Sequence, residues 1–132
     1  MATSNSVDTK PLSPHVQIWK WHWTMAASIC HRVSGCALYF GTVLLAAWVI
    51  SAASGPEAYA VVEGILLSWF GQFALFGFTA AMAYHFANGI RHLIWDGPGI
   101  AFAPRAASMV SILNFVFAVF VTLAIWLFAY LG

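Results

Sequence analysis

Charged side chains are scarce in this chain, and the few present nearly cancel. Only 7% of its 132 residues are Asp, Glu, Lys or Arg, the formal net charge is +1, and 62% of the residues are hydrophobic. A chain so close to neutral has no basic face to neutralise phosphates, which argues against nucleic acid as a partner. It also has too little polar surface for an ordinary soluble domain, so the composition predicts a membrane protein.

Cysteine is also rare, with only two in the chain. Cys30 and Cys36 lie about 120° apart around one predicted helix, so we expect no disulfide between them. We interpret both as apolar packing residues without a redox role. The sequence C-x-x-C-H is absent, so any haem in this chain would be held without covalent attachment.

Three long runs contain no charged residue, at residues 33–56, 64–90 and 106–132. Each exceeds the roughly 20 residues that a helix needs to cross a bilayer. We therefore predict an all-α integral membrane protein with three transmembrane helices. The predicted domain covers residues 24–132 and follows a cytoplasmic arm and interfacial segment at residues 1–23.

Local signals predict where the helices begin and end. The first helix should begin between residues 24 and 27 and end near Ala53. Residues 54–57 (SGPE) have the form of a capping box with proline in the first turn, which indicates that a helix can begin there. The second transmembrane helix should end at Gly97-Pro98-Gly99.

Tryptophans and cations alternate ahead of the first helix. Trp19, Trp21 and Trp23 are separated by Lys20 and His22, a pattern typical of the membrane interface, where amphipathic indoles lie at headgroup level. A docking surface for a soluble partner is the alternative interpretation.

The basic residues predict the orientation. Lys10, Lys20 and Arg32 lie on the amino side of the first span, and Arg91 and Arg105 flank the second loop, whereas the first loop has none. The positive-inside rule then places the amino end and the second loop in the cytoplasm. We expect no cleaved signal peptide, because the first ten residues are polar and turn-prone.

The second apolar run ends in an unusually polar stretch, residues 84–96. His85 and His92 are two helical turns apart and return to nearly the same face, against which a flat, rigid ligand could lie. Gly89, one turn from His85, offers clearance for a planar group such as a porphyrin. Neutral imidazole is a good axial ligand for haem iron, although a lone transmembrane histidine can equally serve as a hydrogen bonder between helices. Since this chain supplies one deep histidine, a second ligand would come from another subunit or be weaker.

A second polar group opens the first helix. Ser28 and Arg32 share a face, and His31 lies about 60° from Ser28. Snorkelling of Arg32 to the membrane surface is one interpretation. We favour a polar pocket shared with Arg91 and His92, in which histidines and arginines could bind haem propionates.

Asp96 has two open interpretations. It could orient His92 or balance Arg91, or it could simply be a solvated helix end.

Three motifs together resemble one known family. Residues 10–15 (KPLSPH), 28–35 (SICHRVSG) and 85–96 (HFANGIRHLIWD) resemble the cytochrome b membrane-anchor subunit of succinate dehydrogenase, respiratory complex II. The resemblance covers nearly the whole chain and is nearest to the ubiquinone-reducing bacterial and mitochondrial type. One departure is Lys10, where the family usually has arginine, and this change keeps the charge.

The resemblance implies partners, cofactors and site residues. In that family the anchor packs with a second small membrane-anchor subunit, and the pair holds one haem b and a ubiquinone site beneath an iron–sulfur subunit and a flavoprotein subunit that carries FAD. His85 stands where the family has one axial ligand of the haem iron, the other coming from the partner anchor. His31, Arg32 and His92 stand near the haem propionates. Ser28 and Arg32 match residues that line the quinone pocket.

The expected function is that of the cytochrome b anchor of a succinate:ubiquinone oxidoreductase in a bacterial inner membrane, or in the mitochondrial inner membrane of a eukaryote. No residue here would act on the dicarboxylate, and Asp96 with His92 is a candidate proton relay from the cytoplasmic surface. A haem-free structural anchor and the anchor of a quinol:fumarate reductase remain as alternatives. A transport or channel subunit is disfavoured, because the polar groups cluster on one side of the membrane.

Overall fold

The computed structural model describes residues 19–132, and these form four helices and no strand. The predicted all-α class is confirmed for this part of the chain. The first of the three motifs, residues 10–15, lies outside the described residues, as does most of the predicted arm. The helices are α1 (Trp23–Ser54), α2 (Pro56–Leu67), α3 (Trp69–Asp96) and α4 (Pro104–Leu131).

Two helices, α1 and α4, are each long and apolar enough to cross a membrane. α2 and α3 meet the same standard only as a pair, and that pair is bent by 76° at its junction. The structure therefore has two candidate spans, or three when the bent pair counts as one. The 28 residues of α3 would reach about 42 Å, so its length is sufficient, and its carboxyl half contains the polar residues 84–96.

The turn between α1 and α2 corrects the predicted capping box. Ser54 is the last residue of α1, and its hydroxyl donates a hydrogen bond to the Ile50 carbonyl at 2.8 Å instead of capping the next helix. Gly55 makes the turn with a φ of +113°, a left-handed conformation that favours glycine. Pro56 then begins α2, as expected for a proline whose missing N–H would have no partner in the first turn.

The bend between α2 and α3 lies at Ser68, inside the run predicted to be one continuous span. The Ser68 hydroxyl donates to the Ile65 carbonyl at 2.6 Å and accepts from the Gly71 N–H at 3.1 Å, so it caps the helices on both sides. A Cβ at Gly71 would collide with the carbonyls of Ile65 and Leu66. The bend therefore needs both the serine cap and the glycine.

α3 is central, because it packs against α1 on one side and α4 on the other. Few side chains are buried, and most of those are small or polar, which lets helix backbones approach closely. Apart from glycines, the buried residues are Ala27, Tyr84, Ala107 and Ala118, together with the polar residues Ser34, Ser51, Asn88, Arg91, Ser111 and Thr122. Most large apolar side chains lie on the outer surface, as expected for helices surrounded by lipid or other membrane helices.

Cys30 and Cys36 are both free, as predicted. Cys30 is half-buried, whereas Cys36 is exposed on the outer surface, so only Cys30 packs inside this chain. Trp19, Trp21 and Trp23 are all exposed, and their role at the membrane interface stays a prediction.

Candidate haem and quinone site

Three histidines from two helices form a stack where the polar ends of α1 and α3 meet. The His31 ring of α1 lies 4.1 Å from the His85 ring and 5.2 Å from the His92 ring, measured between centroids, with interplanar angles of 25° and 28°. His31 therefore fills the space between the two histidines of α3. The His31 ring stacks on both histidines of the face where a flat ligand was predicted to lie, so ligand binding at this face stays a prediction.

His85 is held against α1 by its Nδ1 atom. Nδ1 lies 3.1 Å from the Ser34 hydroxyl and 3.2 Å from the His31 carbonyl oxygen. The Ser34 hydroxyl donates its only hydrogen to the same carbonyl, at 2.8 Å. With the Ser34 hydroxyl donating to this carbonyl, both neighbours of Nδ1 can act as acceptors, and this arrangement favours the tautomer that carries its hydrogen on Nδ1.

The favoured tautomer leaves the lone pair of His85 on Nε2. Nε2 of His85 makes no hydrogen bond to any described residue, and it is not enclosed as Nε2 of His31 is. Neutral imidazole with a free Nε2 and an Nδ1–H bonded to a carbonyl or hydroxyl is the usual state of a metal-ligating histidine. His85 therefore has the chemistry that axial ligation of a haem requires.

The histidines do not form a site for a bare metal ion. No group of three or more His, Cys, Asp or Glu side chains within residues 19–132 is arranged to hold one. A haem differs, because the protein has to supply only axial ligands. Gly89 faces open space, since a Cβ added there would meet no atom within 4 Å.

The other predicted site residues lie near the same end of the helices but are less constrained. Arg32 is exposed and Ser28 is half-buried on α1. His92 is half-buried and meets Trp95 edge to face at 5.5 Å. Asp96 is exposed as the last residue of α3. The structure brings His31, His85 and His92 into contact, and it does not join Ser28, Arg32 or Asp96 to that stack.

Arg91 was expected in the same pocket, but its side chain engages α4. It is 5% exposed, and its Nη1 donates to the Asn88 side-chain oxygen at 3.2 Å and to the Ser111 hydroxyl at 3.1 Å. Its guanidinium carbon lies 4.1 Å from the centre of the Trp95 ring. On α4, Ser111 and Asn114 are three residues apart, and they contact Arg91 and Asn88. That spacing is the signal that could have shown where Arg91 points.

Ser34 and Tyr84 have structural roles that sequence reasoning did not assign. Ser34 contacts His85 as described above, and Tyr84 donates from its hydroxyl to the Ala27 carbonyl at 3.0 Å. Tyr84 thereby ties α3 to the opening of α1, one residue before His85. Both residues stand inside or beside the quoted motifs, but nothing in the spacing alone shows which helix each contacts.

Comparison with known proteins adds independent information. Residues 6–125 match a family model described as the succinate dehydrogenase/fumarate reductase transmembrane subunit. Over 66% of its length the chain is 38% identical to the succinate dehydrogenase cytochrome b556 subunit of Paracoccus denitrificans, covering 67% of that protein. It is 32% identical to the cytochrome b556 subunit of Rickettsia typhi over 89% of this chain and 90% of the relative. The match to the mouse mitochondrial cytochrome b560 subunit, at 39% identity, spans 74% of this chain and 59% of the longer mouse protein.

Proposed function

This chain belongs to the succinate dehydrogenase/fumarate reductase transmembrane-subunit family, and we propose that it is the cytochrome b membrane anchor of a succinate:ubiquinone oxidoreductase. In this proposal it pairs with a second small membrane-anchor subunit and binds the iron–sulfur and flavoprotein subunits on the cytoplasmic side of the membrane, or on the matrix side in a mitochondrion. One observation carries the proposal: Nδ1 of His85 contacts the Ser34 hydroxyl and the His31 carbonyl of α1, while Nε2 makes no hydrogen bond to any described residue.

His85 would be the residue of this chain that binds the iron of haem b, and the partner anchor would supply a second ligand. His31, Arg32 and His92 lie on the two helices beside it and would bind the propionates through charge-assisted hydrogen bonds. Nε2 of His31 is buried without a partner among the described residues, so an anionic acceptor nearby would satisfy it. A bound haem would supply reversible one-electron transfer.

Ser28 and Arg32 would bind the quinone. A hydroxyl and a guanidinium one turn apart can both donate to a quinone carbonyl, and Arg32 would stabilise the negative charge that develops on that oxygen during reduction. Succinate oxidation would take place on the flavoprotein with FAD, and electrons would reach ubiquinone through iron–sulfur clusters. The dicarboxylate would therefore not contact this chain.

Proton supply is the third part of the proposal. Asp96 is exposed at the end of α3, and His92 lies one turn inside it, half-buried. The pair would carry protons from the aqueous surface towards the quinone. In the assembled complex, Asp96→Asn should slow quinone reduction and change its pH profile. An unchanged rate and an unchanged pH profile would contradict the proposed proton-relay role of Asp96.

A pair of substitutions separates the haem site from the quinone site. In the purified complex, His85→Ala should lower the haem-to-flavin ratio and leave the KM for ubiquinone nearly unchanged. Ser28→Ala should raise that KM and keep the haem. Equal effects of the two substitutions on both quantities would contradict two distinct sites, and full haem content in His85→Ala would contradict the assigned ligand.

A further inference from the structure

We propose that Ser34 is a positioning residue that fixes the tautomer and ring orientation of His85 and so tunes the electronic character of its free Nε2. This inference rests on the proposed role of His85 as a haem ligand. It assigns a function to a residue inside the SICHRVSG motif that the ligand and quinone roles do not use.

The acceptor for the His85 Nδ1–H is best identified by counting lone pairs. The His31 carbonyl has two. In the continuous helix α1 one accepts the backbone N–H four residues on, and the Ser34 hydroxyl occupies the other at 2.8 Å. The Ser34 oxygen still has a lone pair free and is the nearer neighbour of Nδ1, at 3.1 Å against 3.2 Å. Ser34 is therefore the better acceptor.

The surroundings of Ser34 make this hydrogen bond effective. Its side chain is only 6% exposed, so water has little access to replace the hydroxyl. The neighbouring Gly35 lets the His85 ring lie close to α1, since a Cβ there would be 3.1 Å from Cε1 of His85. The His31 ring stacks on His85 at 4.1 Å and restricts its rotation further. Packing thus limits how the ring can turn, and Ser34 selects which nitrogen faces α1.

Donation from Nδ1 has a predictable consequence for the other nitrogen. A hydrogen bond from Nδ1–H increases the basicity of Nε2 and strengthens it as a metal ligand. An imidazole nitrogen that donates more electron density to the iron stabilises the ferric state relative to the ferrous state. Loss of the Ser34 acceptor should therefore raise the midpoint potential of the bound haem without removing the haem.

The test is a redox titration of the haem in the assembled complex. Ser34→Ala should keep the wild-type haem-to-flavin ratio and raise the midpoint potential, by up to about 59 mV for a tenfold change in the ferric-to-ferrous preference. Ser34→Thr keeps the hydroxyl, so its midpoint potential should lie closer to the wild-type value than that of Ser34→Ala. Ser34→Cys, whose thiol is a weak acceptor of similar shape, should shift the potential in the same direction as alanine and serves if Ser34→Ala fails to assemble.

Ser51→Ala is the matched control. Ser51 lies on the same helix, is also 6% exposed, and donates to the carbonyl three residues before it at 2.7 Å, but it makes no hydrogen bond to any described histidine. Its substitution should leave the potential unchanged. A wild-type potential in both Ser34→Ala and Ser34→Cys, or an equal shift in Ser51→Ala, would overturn the proposal. Failure of the proposed function is distinguishable, because it would appear as retained haem in His85→Ala whatever the result at Ser34.

Discussion

At the scale of single residues, the site depends on how one imidazole is seated. His85 combines a bonded Nδ1, a free Nε2 and close packing on Gly35. The sequence predicted that His85 lies deep and that Gly89, one turn away, leaves clearance for a planar group, and Gly89 does face open space. In the structure Gly35, on the other helix, is the glycine that His85 contacts. Helical periodicity orders residues around one helix and does not specify how two helices are rotated against each other, so this contact could not be predicted.

Gly35→Ala should weaken haem binding. The added methyl group would lie 3.1 Å from Cε1 of His85, and the ring would have to shift against the stacked His31. We expect haem affinity to fall by about tenfold, the lower end of the effect of disturbing groups that orient a metal ligand. The haem affinity is measured by titrating the haem-free complex with hemin and recording its haem content.

Gly77→Ala is the control for that experiment. Gly77 lies on α3, and a Cβ there would meet no atom within 4 Å, so haem affinity should not change. Equal affinities for Gly35→Ala and the wild type would mean that the His85 ring is not confined as described.

At the scale of helices, α3 and α4 are joined by a polar contact inside the bundle. Arg91 donates to Asn88 and Ser111, and Asn114 donates to the same Asn88 oxygen at 3.2 Å. No predicted role of Arg91 included α4, because the third apolar run contains no charged residue to pair with it. Neutral amide and hydroxyl oxygens accept from Nη1 of the buried guanidinium, whereas its Nε has no hydrogen-bond partner among the described residues.

Ser111→Ala should destabilise the α3–α4 contact. It leaves the buried Arg91 with one hydrogen-bond acceptor fewer, which costs about 1–3 kcal/mol. The melting temperature of the purified complex in detergent should fall. Ser108→Ala is the matched control, since Ser108 donates to its own helix at 2.8 Å as Ser111 does, without contacting Arg91. Equal melting temperatures for the two variants would contradict a structural role of the Arg91–Ser111 hydrogen bond.

Helix ends were predicted better than helix bends. Gly97-Pro98-Gly99 ends α3 at Asp96, and α1 begins at Trp23, one residue before the predicted range. Glycine and proline act through local backbone conformation, so their effect can be read from the sequence. The bend at Ser68 could not be predicted, because a single serine in an apolar run is compatible with a straight helix. It becomes a cap only where α2 turns away from α3.

At the scale of the whole molecule, the fold class followed from composition, whereas the orientation in the membrane is still a prediction. The orientation depends on Lys and Arg alone, and the first loop and carboxyl end carry none. Glu57 and Ile100 are both exposed and lie in or beside the connections predicted to face opposite sides of the membrane.

Cysteine labelling tests the orientation. In intact spheroplasts that carry the chain with Cys30→Ser and Cys36→Ser, a membrane-impermeant maleimide should label Glu57→Cys. It should label Ile100→Cys only after the cells are broken. The opposite pattern would place the amino end outside the cytoplasm, and labelling of both sites in intact cells would contradict a membrane-spanning α3.

The most direct test of His85 as a haem ligand is the dithionite-reduced minus oxidised absorption spectrum of the purified complex carrying His85→Gly, recorded with and without added imidazole. The substitution opens space for a free imidazole to replace the missing side chain. We predict that the b-type signal of the wild-type complex is lost or shifted in the variant and returns when imidazole is added. An unaltered b-type spectrum in His85→Gly without imidazole would contradict the assignment of His85 as the ligand.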